Sequence, residues 1–314
     1  GEGQSRFVIC GAQNFKVGDL IVASLPGAVL PGGFAISARE TYGKTSNGMI
    51  CSAKELGLGD DHSGIIVLPQ GSAKPGADAI ALLEIVDTIF DVAVNPDRGY
   101  ALSIRGMARE VAASLDLPFS DPAESAAKIS LKGSGTPVEI KLSSGGMVAY
   151  LRTMEGFDTA ATSPLWMRRR IEKCGMRSIS LPVDVTNYVM IELGQPLHAF
   201  DADKVDTFLE IRRAGSTQNF TTLDGQERTL DADDLVVADS EKVLALAGTM
   251  GGLDSEITSK TTRIALEAVR FDQISVAKNS RRHKLSTEAS RRLERGVDPV
   301  LAELASARAT QLMI

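Results

Sequence analysis

The chain has 314 residues, 43% of them hydrophobic and only 5% aromatic, enough for two or three domains with aliphatic cores. A formal charge of −6 argues against coating nucleic acid through global charge and leaves room only for local basic patches. Three scattered cysteines, Cys10, Cys51 and Cys174, argue against a disulfide framework or a cysteine-rich zinc site and point to a reducing cytoplasm; no signal peptide or run of about 18 apolar residues appears.

From the N-terminus, residues 7–70 read as short strands between Gly/Pro turns: Phe7 to Cys10, Leu20 to Leu25, Gly33 to Ile36 and Gly64 to Pro69. With turns such as Leu30-Pro31-Gly32-Gly33, this spacing predicts a small β-barrel, a shape that often binds oligonucleotides without by itself assigning function. Ser46 to Ser52 reads at least as a turn before a core strand. Ile89 to Val94 predicts a strand, and Ser103 to Leu115 a helix with Ile104, Met107, Val111 and Leu115 on one buried face. Residues 118–146, rich in Ser, Pro, Gly and Lys, read as a linker at a domain boundary.

A mixed α/β domain is expected from about residue 147. Ser163 can cap a helix with Pro164 at its first position, Met167, Ile171 and Cys174 on one face, and Gly175 at its end. Asp184 to Met190 is an alternating or helical apolar run. Phe208 to Arg212 reads as a strand, and Asp224-Gly225 as a two-residue hairpin turn. Leu235 to Ala238, Val243 to Ala247 and Arg263 to Glu267 supply further strands. Asp272 can cap a helix, Ser286 can start another closed by Gly296, and Asp298-Pro299 opens a last one with Leu301, Leu304 and Leu312 inward. A first residue Gly1 and a helical-looking end at Ile314 suggest a piece of something longer.

Four features can carry chemistry. His198, one of three histidines, follows a Gly/Pro break in Glu192-Leu193-Gly194-Gln195-Pro196-Leu197-His198-Ala199-Phe200-Asp201; it can point into a cleft or simply cap a neighbouring carbonyl. Ala247-Gly248-Thr249-Met250-Gly251-Gly252 lets a backbone approach a ligand and expose N–H groups, or is a tight turn with one glycine at positive φ. Glu267 sits in the apolar stretch Ile264 to Val269: it faces either solvent by strand alternation or a cleft, where it is a strong acceptor for a ligand hydroxyl. Residues 278–295 carry Lys278, Arg281, Arg282, Lys284, Arg291, Arg292 and Arg295 against Glu288 and Glu294, suited to phosphates or to a solvated helical face. No zinc-protease, nucleophile-elbow, Walker or calcium-loop pattern is present.

The sequence of these motifs is more specific than their spacing. Asp184-Val185-Thr186-Asn187-Tyr188-Val189-Met190, Glu192 to Asp201, Ala247 to Gly252, Leu266-Glu267-Ala268, Thr287-Glu288-Ala289-Ser290 and Glu294 to Pro299 together resemble the central editing domain of the bacterial phenylalanyl-tRNA synthetase β subunit. Leu25-Pro26-Gly27-Ala28 and Gly48 to Ser52 are similar to that family's tRNA-binding oligonucleotide-fold insertion, and residues 89–118 to the segment after it. The resemblance implies an α+β chain: an OB-fold barrel over residues 1–84, a connecting α/β segment over 85–128 that belongs with the N-terminal domain, and a mixed α/β editing domain over 129–314. By this resemblance, the family's extreme N-terminus, its later β-subunit domains and the α subunit that carries the synthetic site are expected to lie outside these residues.

The activity so implied is hydrolysis of tyrosine wrongly attached to phenylalanine tRNA. A synthetic pocket for Phe cannot strongly reject a near-isostere that adds a hydroxyl, whereas a second pocket that hydrogen-bonds that hydroxyl rejects the analogue lacking it. By resemblance, Glu267 recognises the tyrosine hydroxyl and His198 positions water or the terminal adenosine. Thr186 and Asn187 are polar pocket residues, Gly251 brings backbone to the aminoacyl group, and Thr287 and Ala289 stand near the pocket wall. Lys278, Arg281, Arg282 and Lys284 are the expected tRNA contacts. The ester is already activated, so oriented water, oxyanion donors and a ribose hydroxyl can suffice without metal. No cofactor is expected in this segment; ATP and magnesium belong to the full enzyme, an (αβ)2 heterotetramer partnered by tRNA(Phe), with neither membrane nor DNA. Ser180 and Thr249 depart from the family pattern at the pocket edges. The competing reading is a non-catalytic tRNA-binding and assembly module.

Overall fold

A computed structural model describes residues 5–59, 61–131, 133, 138–156, 158 and 161–314. The chain falls into two compact units, Gly1–Asp91 and Val92–Ile314.

In the first unit every strand is two or three residues long: β1 (Leu20–Ile21), β2 (Ala23–Ser24), β3 (Val29–Leu30), β4 (Phe34–Ala35), β5 (Arg39–Thr41), β6 (Lys44–Ser46), β7 (Met49–Ile50) and β8 (Val67–Leu68), followed by the short helix α1 (Ala79–Leu82). They pair antiparallel as four two-stranded ladders, β1 with β8, β2 with β7, β3 with β4 and β5 with β6. A closed barrel is not among the described ladders. The expected strand Leu20 to Leu25 is split in two. Phe7 to Cys10 forms none: the Phe7 carbonyl accepts from Asn47 N at 2.8 Å, but Ile9 N turns to the Ser46 hydroxyl at 3.0 Å instead of a ladder partner. Ile89 to Val94 is also not a strand; Ile89, Phe90 and Val92 are exposed.

The second unit begins with α2 (Ile104–Leu115), capped by Ser103, whose Oγ accepts from Gly106 N at 3.0 Å. Its predicted buried face is turned outward: Ile104 is 60% and Leu115 64% exposed, Val111 is exposed, and only Met107 is half-buried. The buried position is Gly106, where a Cβ would lie 1.9 Å from the Tyr100 carbonyl oxygen. Close backbone approach, not the apolar stripe, decides how this helix sits. The expected linker contains α3 (Pro122–Ala127) and β9 (Glu139–Leu142); residues 132 and 134–137 of it lie outside the described residues. Asp121 caps α3 and accepts from Nε and Nη2 of Arg105, each at 2.7 Å, tying α3 to α2.

The remaining elements are β10 (Gly146–Glu155), α4 (Leu165–Lys173), α5 (Leu181–Leu193), β11 (Leu197–Asp201), β12 (Phe208–Arg213), the hairpin β13 (Gln218–Thr221) and β14 (Glu227–Leu230), β15 (Leu235–Ala238), β16 (Val243–Leu246), β17 (Met250–Gly251), β18 (Arg263–Phe271), α6 (Gln273–Arg282), α7 (Glu288–Leu293) and α8 (Leu301–Met313). Ser163 does not cap α4. Its hydroxyl, with Ser178 Oγ and Ile179 N, donates to buried Asp184 in the first turn of α5, and Pro164 becomes the cap. Met167 and Ile171 are buried as expected, but Cys174 is exposed at the helix end. Thr287 rather than Ser286 caps α7, and Asp272 caps α6.

Two sheets stack. An antiparallel sheet in the order β10-β18-β11 carries α4, α5 and α8 on one face, through Ile264, Leu266, Val185, Val189 and Ala305. Its other face meets the five-stranded sheet β17-β16-β15-β12-β9 through Phe200, Ala265, Val269, Leu209, Ile211 and Val237. In that second sheet β9 and β12 are parallel and the other pairs antiparallel. β18 is therefore covered on both faces, which is why it reads as a nearly unbroken apolar run. Among the described residues no helix is long and apolar enough to cross a membrane.

Asn279 binds α6 to the five-stranded sheet: its Nδ2 donates to the Leu235 carbonyl at 2.7 Å and its Oδ1 accepts from Leu235 N at 3.2 Å, all buried. Asn279→Ala leaves both main-chain groups unpaired and is expected to lower the unfolding free energy by about 2–4 kcal/mol. Urea denaturation checks this; an unchanged midpoint would show the bonds to be dispensable.

Candidate active site

In the register of the three-stranded sheet, Glu267 stands directly opposite His198 on β11 and Leu151 on β10. Directly opposed residues point to the same face. Here it is the face toward the second sheet, since Ala265 and Val269, two positions to either side of Glu267, belong to the core between the sheets. The solvent-facing alternative for Glu267 therefore fails: the residue is 4% exposed. Among the described residues its carboxyl has neither a hydrogen bond nor an ion pair.

Glu267 and His198 line a cavity of about 70 Å³. That is several times the roughly 10–15 Å³ one water requires. Val237, Ala245 and Leu246 of the second sheet form one wall, and the glycine turn and Ala289 contribute to the rest. Desolvation dominates the electrostatics. Burial pushes Glu267 up to about 8 and pulls His198 down to about 4. Near pH 7 the pair is a neutral acid facing a neutral imidazole, so Glu267 offers a hydroxyl donor as well as a carbonyl acceptor. The charged carboxylate, an acceptor only, is the minor form.

The glycine turn realises both readings of its sequence. Gly248 takes φ +64°, the left-handed turn position. Gly251 provides the close approach: a Cβ there would lie 2.5 Å from His198 Cε1 and 2.6 Å from Nε2, so the imidazole rests on bare backbone. Phe200 backs the ring edge-on at 4.4 Å between centroids. Not all of the turn's N–H groups are available to a ligand. Thr249 N donates to the Leu246 carbonyl at 2.9 Å and Gly252 N to the Leu244 carbonyl at 2.7 Å.

Of the other expected pocket residues, Ala289 lines the cavity with a single methyl. Thr287 does not line it. Its hydroxyl donates to the Thr249 carbonyl at 3.0 Å and accepts from Ser290 N at 3.0 Å, pinning the start of α7 to the glycine turn. Thr186 and Asn187 are not brought to the cavity. They lie on α5, whose core contacts are with the opposite face of the sheet, and the Thr186 hydroxyl is taken by the Val183 carbonyl at 2.8 Å. Ser180 precedes α5 without a side-chain capping bond, and Thr249 is a buried lining residue. Sequence reasoning missed the wall from the second sheet, because Val237, Ala245 and Leu246 look like ordinary core residues.

The four expected tRNA contacts divide. Lys278, Arg281 and Lys284 are exposed with no ion pair among the described residues. Arg282 pairs with fully buried Asp234 and lies 3.7 Å from Asp231. His283 Nε2 shares Asp234 at 2.7 Å, so this arginine belongs to a structural network. No group of three or more His, Cys, Asp or Glu side chains able to hold a metal ion occurs among the described residues.

The family model described as "B3/4 domain" matches residues 146–314, and the one described as "Putative tRNA binding domain" matches residues 1–78. Over its whole length the chain is similar to the phenylalanine–tRNA ligase β subunits of Streptomyces avermitilis, 54% identical over 318 residues, and Thermobifida fusca, 53% over 313. It spans 38% of each, so well under half of those relatives. A solved N-terminal fragment of the phenylalanyl-tRNA synthetase β subunit from Pyrococcus horikoshii is 13% identical, covering 63% of this chain and 60% of its own, with a TM-score of 0.33.

The buried acid has a measurable signature. Unfolded, a glutamate ionises near 4.5; folded, Glu267 holds its proton to about 8, so the native state binds more protons in between and stability falls as pH rises through that window. His198 acts oppositely, but only between about 4 and 6.5, which leaves pH 6.5 to 8 to Glu267. Moving from pH 6.5 to 8, Glu267→Gln is expected to gain up to about 2 kcal/mol on the wild type. Urea unfolding at the two pH values measures it, and an equal difference at both would exclude a buried neutral acid.

Proposed function

The chain belongs to the B3/4 domain family through residues 146–314, and from that membership and the cavity at Glu267 we propose that residues 129–314 hydrolyse tyrosine wrongly esterified to tRNA(Phe). The observation that carries this reading is a neutral acid at the wall of a cavity in an otherwise apolar layer, directly opposite an imidazole. A phenol entering this space meets a carboxylic acid that can both accept and donate. A bare benzene ring leaves that acid unpaired, at about 1–3 kcal/mol, which is the asymmetry a proofreading pocket needs.

His198 is a weak base, with its pKa held at about 4, so proton abstraction from water is not its best role. A neutral imidazole has one donor and one acceptor nitrogen, enough to orient a water or a ribose hydroxyl against the ester carbonyl. The aminoacyl ester is activated already, so orientation can supply most of what hydrolysis requires. Thr186, Asn187 and Thr287 enter this proposal as shape-giving residues behind the wall; Gly251 and Ala289 enter it as the wall itself.

Residues 1–84 act, in this proposal, as the OB-like part that grips tRNA, with 85–128 connecting it to the hydrolytic part. Lys278, Arg281 and Lys284 add phosphate contacts. The partner is an α subunit that holds the synthetic site and its ATP and magnesium, in an (αβ)2 assembly of the cytoplasm. This segment's own chemistry uses no cofactor.

Two measurements test the proposal. In the full-length subunit, the wild type should release tyrosine from Tyr-tRNA(Phe) much faster than phenylalanine from Phe-tRNA(Phe), and Glu267→Ala should narrow that ratio by roughly 100-fold. Salt-dependent tRNA binding with no hydrolysis of either ester would instead identify a non-catalytic binding module. Separately, replacing Lys278, Arg281 and Lys284 one at a time by Ala should each reduce the slope of log affinity against log salt by about 1, while Arg282→Ala should mainly lower stability. Unchanged slopes would remove α6 from the tRNA interface.

A further inference from the structure

Gln195, in the α5–β11 connection just before Pro196, is fully buried, at 0% exposure. Its Nε2 donates to the Val269 carbonyl at 3.1 Å and to the Pro196 carbonyl at 2.8 Å. Both neighbours are acceptors, so the amide nitrogen must face them. Oε1 is left as a buried acceptor with no partner among the described residues. A buried orphan of this kind is unfavourable, so the two donated bonds must offset it.

Their value lies in the ladder. The β11–β18 register pairs Leu197 with Ala268 and His198 with Glu267. Two positions along from the His198–Glu267 pair, residue 196 falls opposite Val269, and the direction of main-chain bonding repeats every second residue. A main-chain N–H at 196 would be the natural donor to Val269. Proline has none. The Gln195 amide takes that place, and the owners of both accepting carbonyls, Pro196 and Val269, line the cavity beside His198 and Glu267.

We propose that Gln195 is a positioning residue: by making the cross-strand bond that Pro196 cannot, it holds the start of β11 on β18 and keeps the His198 imidazole seated across from Glu267. Its catalytic consequence rests on the hydrolytic function proposed above. The sequence signal is a glutamine directly before the proline that leads into a strand.

Gln195→Met keeps the side-chain volume and removes the donor. In the full-length subunit, its kcat for Tyr-tRNA(Phe) deacylation should fall roughly tenfold or more, with KM changed less than about twofold. Adding Pro196→Ala restores a main-chain N–H and should recover most of the loss, which a defect of packing alone would not allow. The His198 Cε1–H resonance at fixed pH reads the same tie without any hydrolysis: one sharp line in the wild type, a broadened line in Gln195→Met, a sharp line again in the double variant. If even the wild type hydrolyses no ester, the hydrolytic reading fails and the resonance alone decides the role of Gln195. If Gln195→Met does not fold, a folded double variant with a sharp line supports the tie and an unfolded one overturns it. Wild-type kcat with an unchanged resonance in Gln195→Met, or a loss that Pro196→Ala leaves in place, also overturns it.

Discussion

Desolvation of two facing side chains governs this structure. Glu267 and His198 meet across adjacent strands in the layer between two sheets, where neither has an ion-pair partner among the described residues. Burial disfavours the charged form of each group, raising the acid and lowering the imidazole, so both are neutral near pH 7 before any ligand arrives. A neutral acid and a neutral imidazole can exchange hydrogen bonds with uncharged groups such as a phenol or a water, and neither has an ion pair that must first be broken.

Much of the surrounding structure keeps that pair in place. Gly251 leaves only backbone under the imidazole. Thr287 ties the glycine turn to α7, and Asn279 ties α6 to β15. On the far face of the sheet, α4, α5 and α8 cover β18, so the strand cannot turn Glu267 to water without exposing Ile264 and Leu266. The buried Asp234, shared by His283 and Arg282, anchors the end of α6. The basic segment is thereby divided into cations that serve the fold and cations exposed at the surface.

Much of the second unit was legible in the residues. The strands from Leu235 to Leu246 and the cap at Asp272 follow local chemistry that operates wherever those residues occur. A hairpin does form around Asp224-Gly225, but not with a two-residue turn: Gly225 N donates to the Thr222 carbonyl and Thr222 N to the Gln226 carbonyl, which puts Leu223 into the loop as well. Elements whose outcome depends on neighbours were not legible. The apolar stripe of α2 predicts burial, but Gly106 admits the Tyr100 backbone on another side and the stripe faces outward. Ser163 looks like a cap until the buried Asp184 carboxyl offers its hydroxyl an acceptor. The first unit's short runs suggest a barrel, yet form separate two-stranded ladders.

Sequence alone determined which residue types were available: a lone acid in an apolar strand, a histidine after a proline, a glycine-rich turn. It also carried the words that mark the family. Only the tertiary structure decided that the acid faces the imidazole, that Ala289 reaches the cavity while Thr186 and Asn187 do not, and that Gln195 stands in for an N–H that Pro196 lacks. The physical reason is that propensity and capping act within a few residues, whereas burial, and with it protonation, is imposed by whatever distant element packs on top.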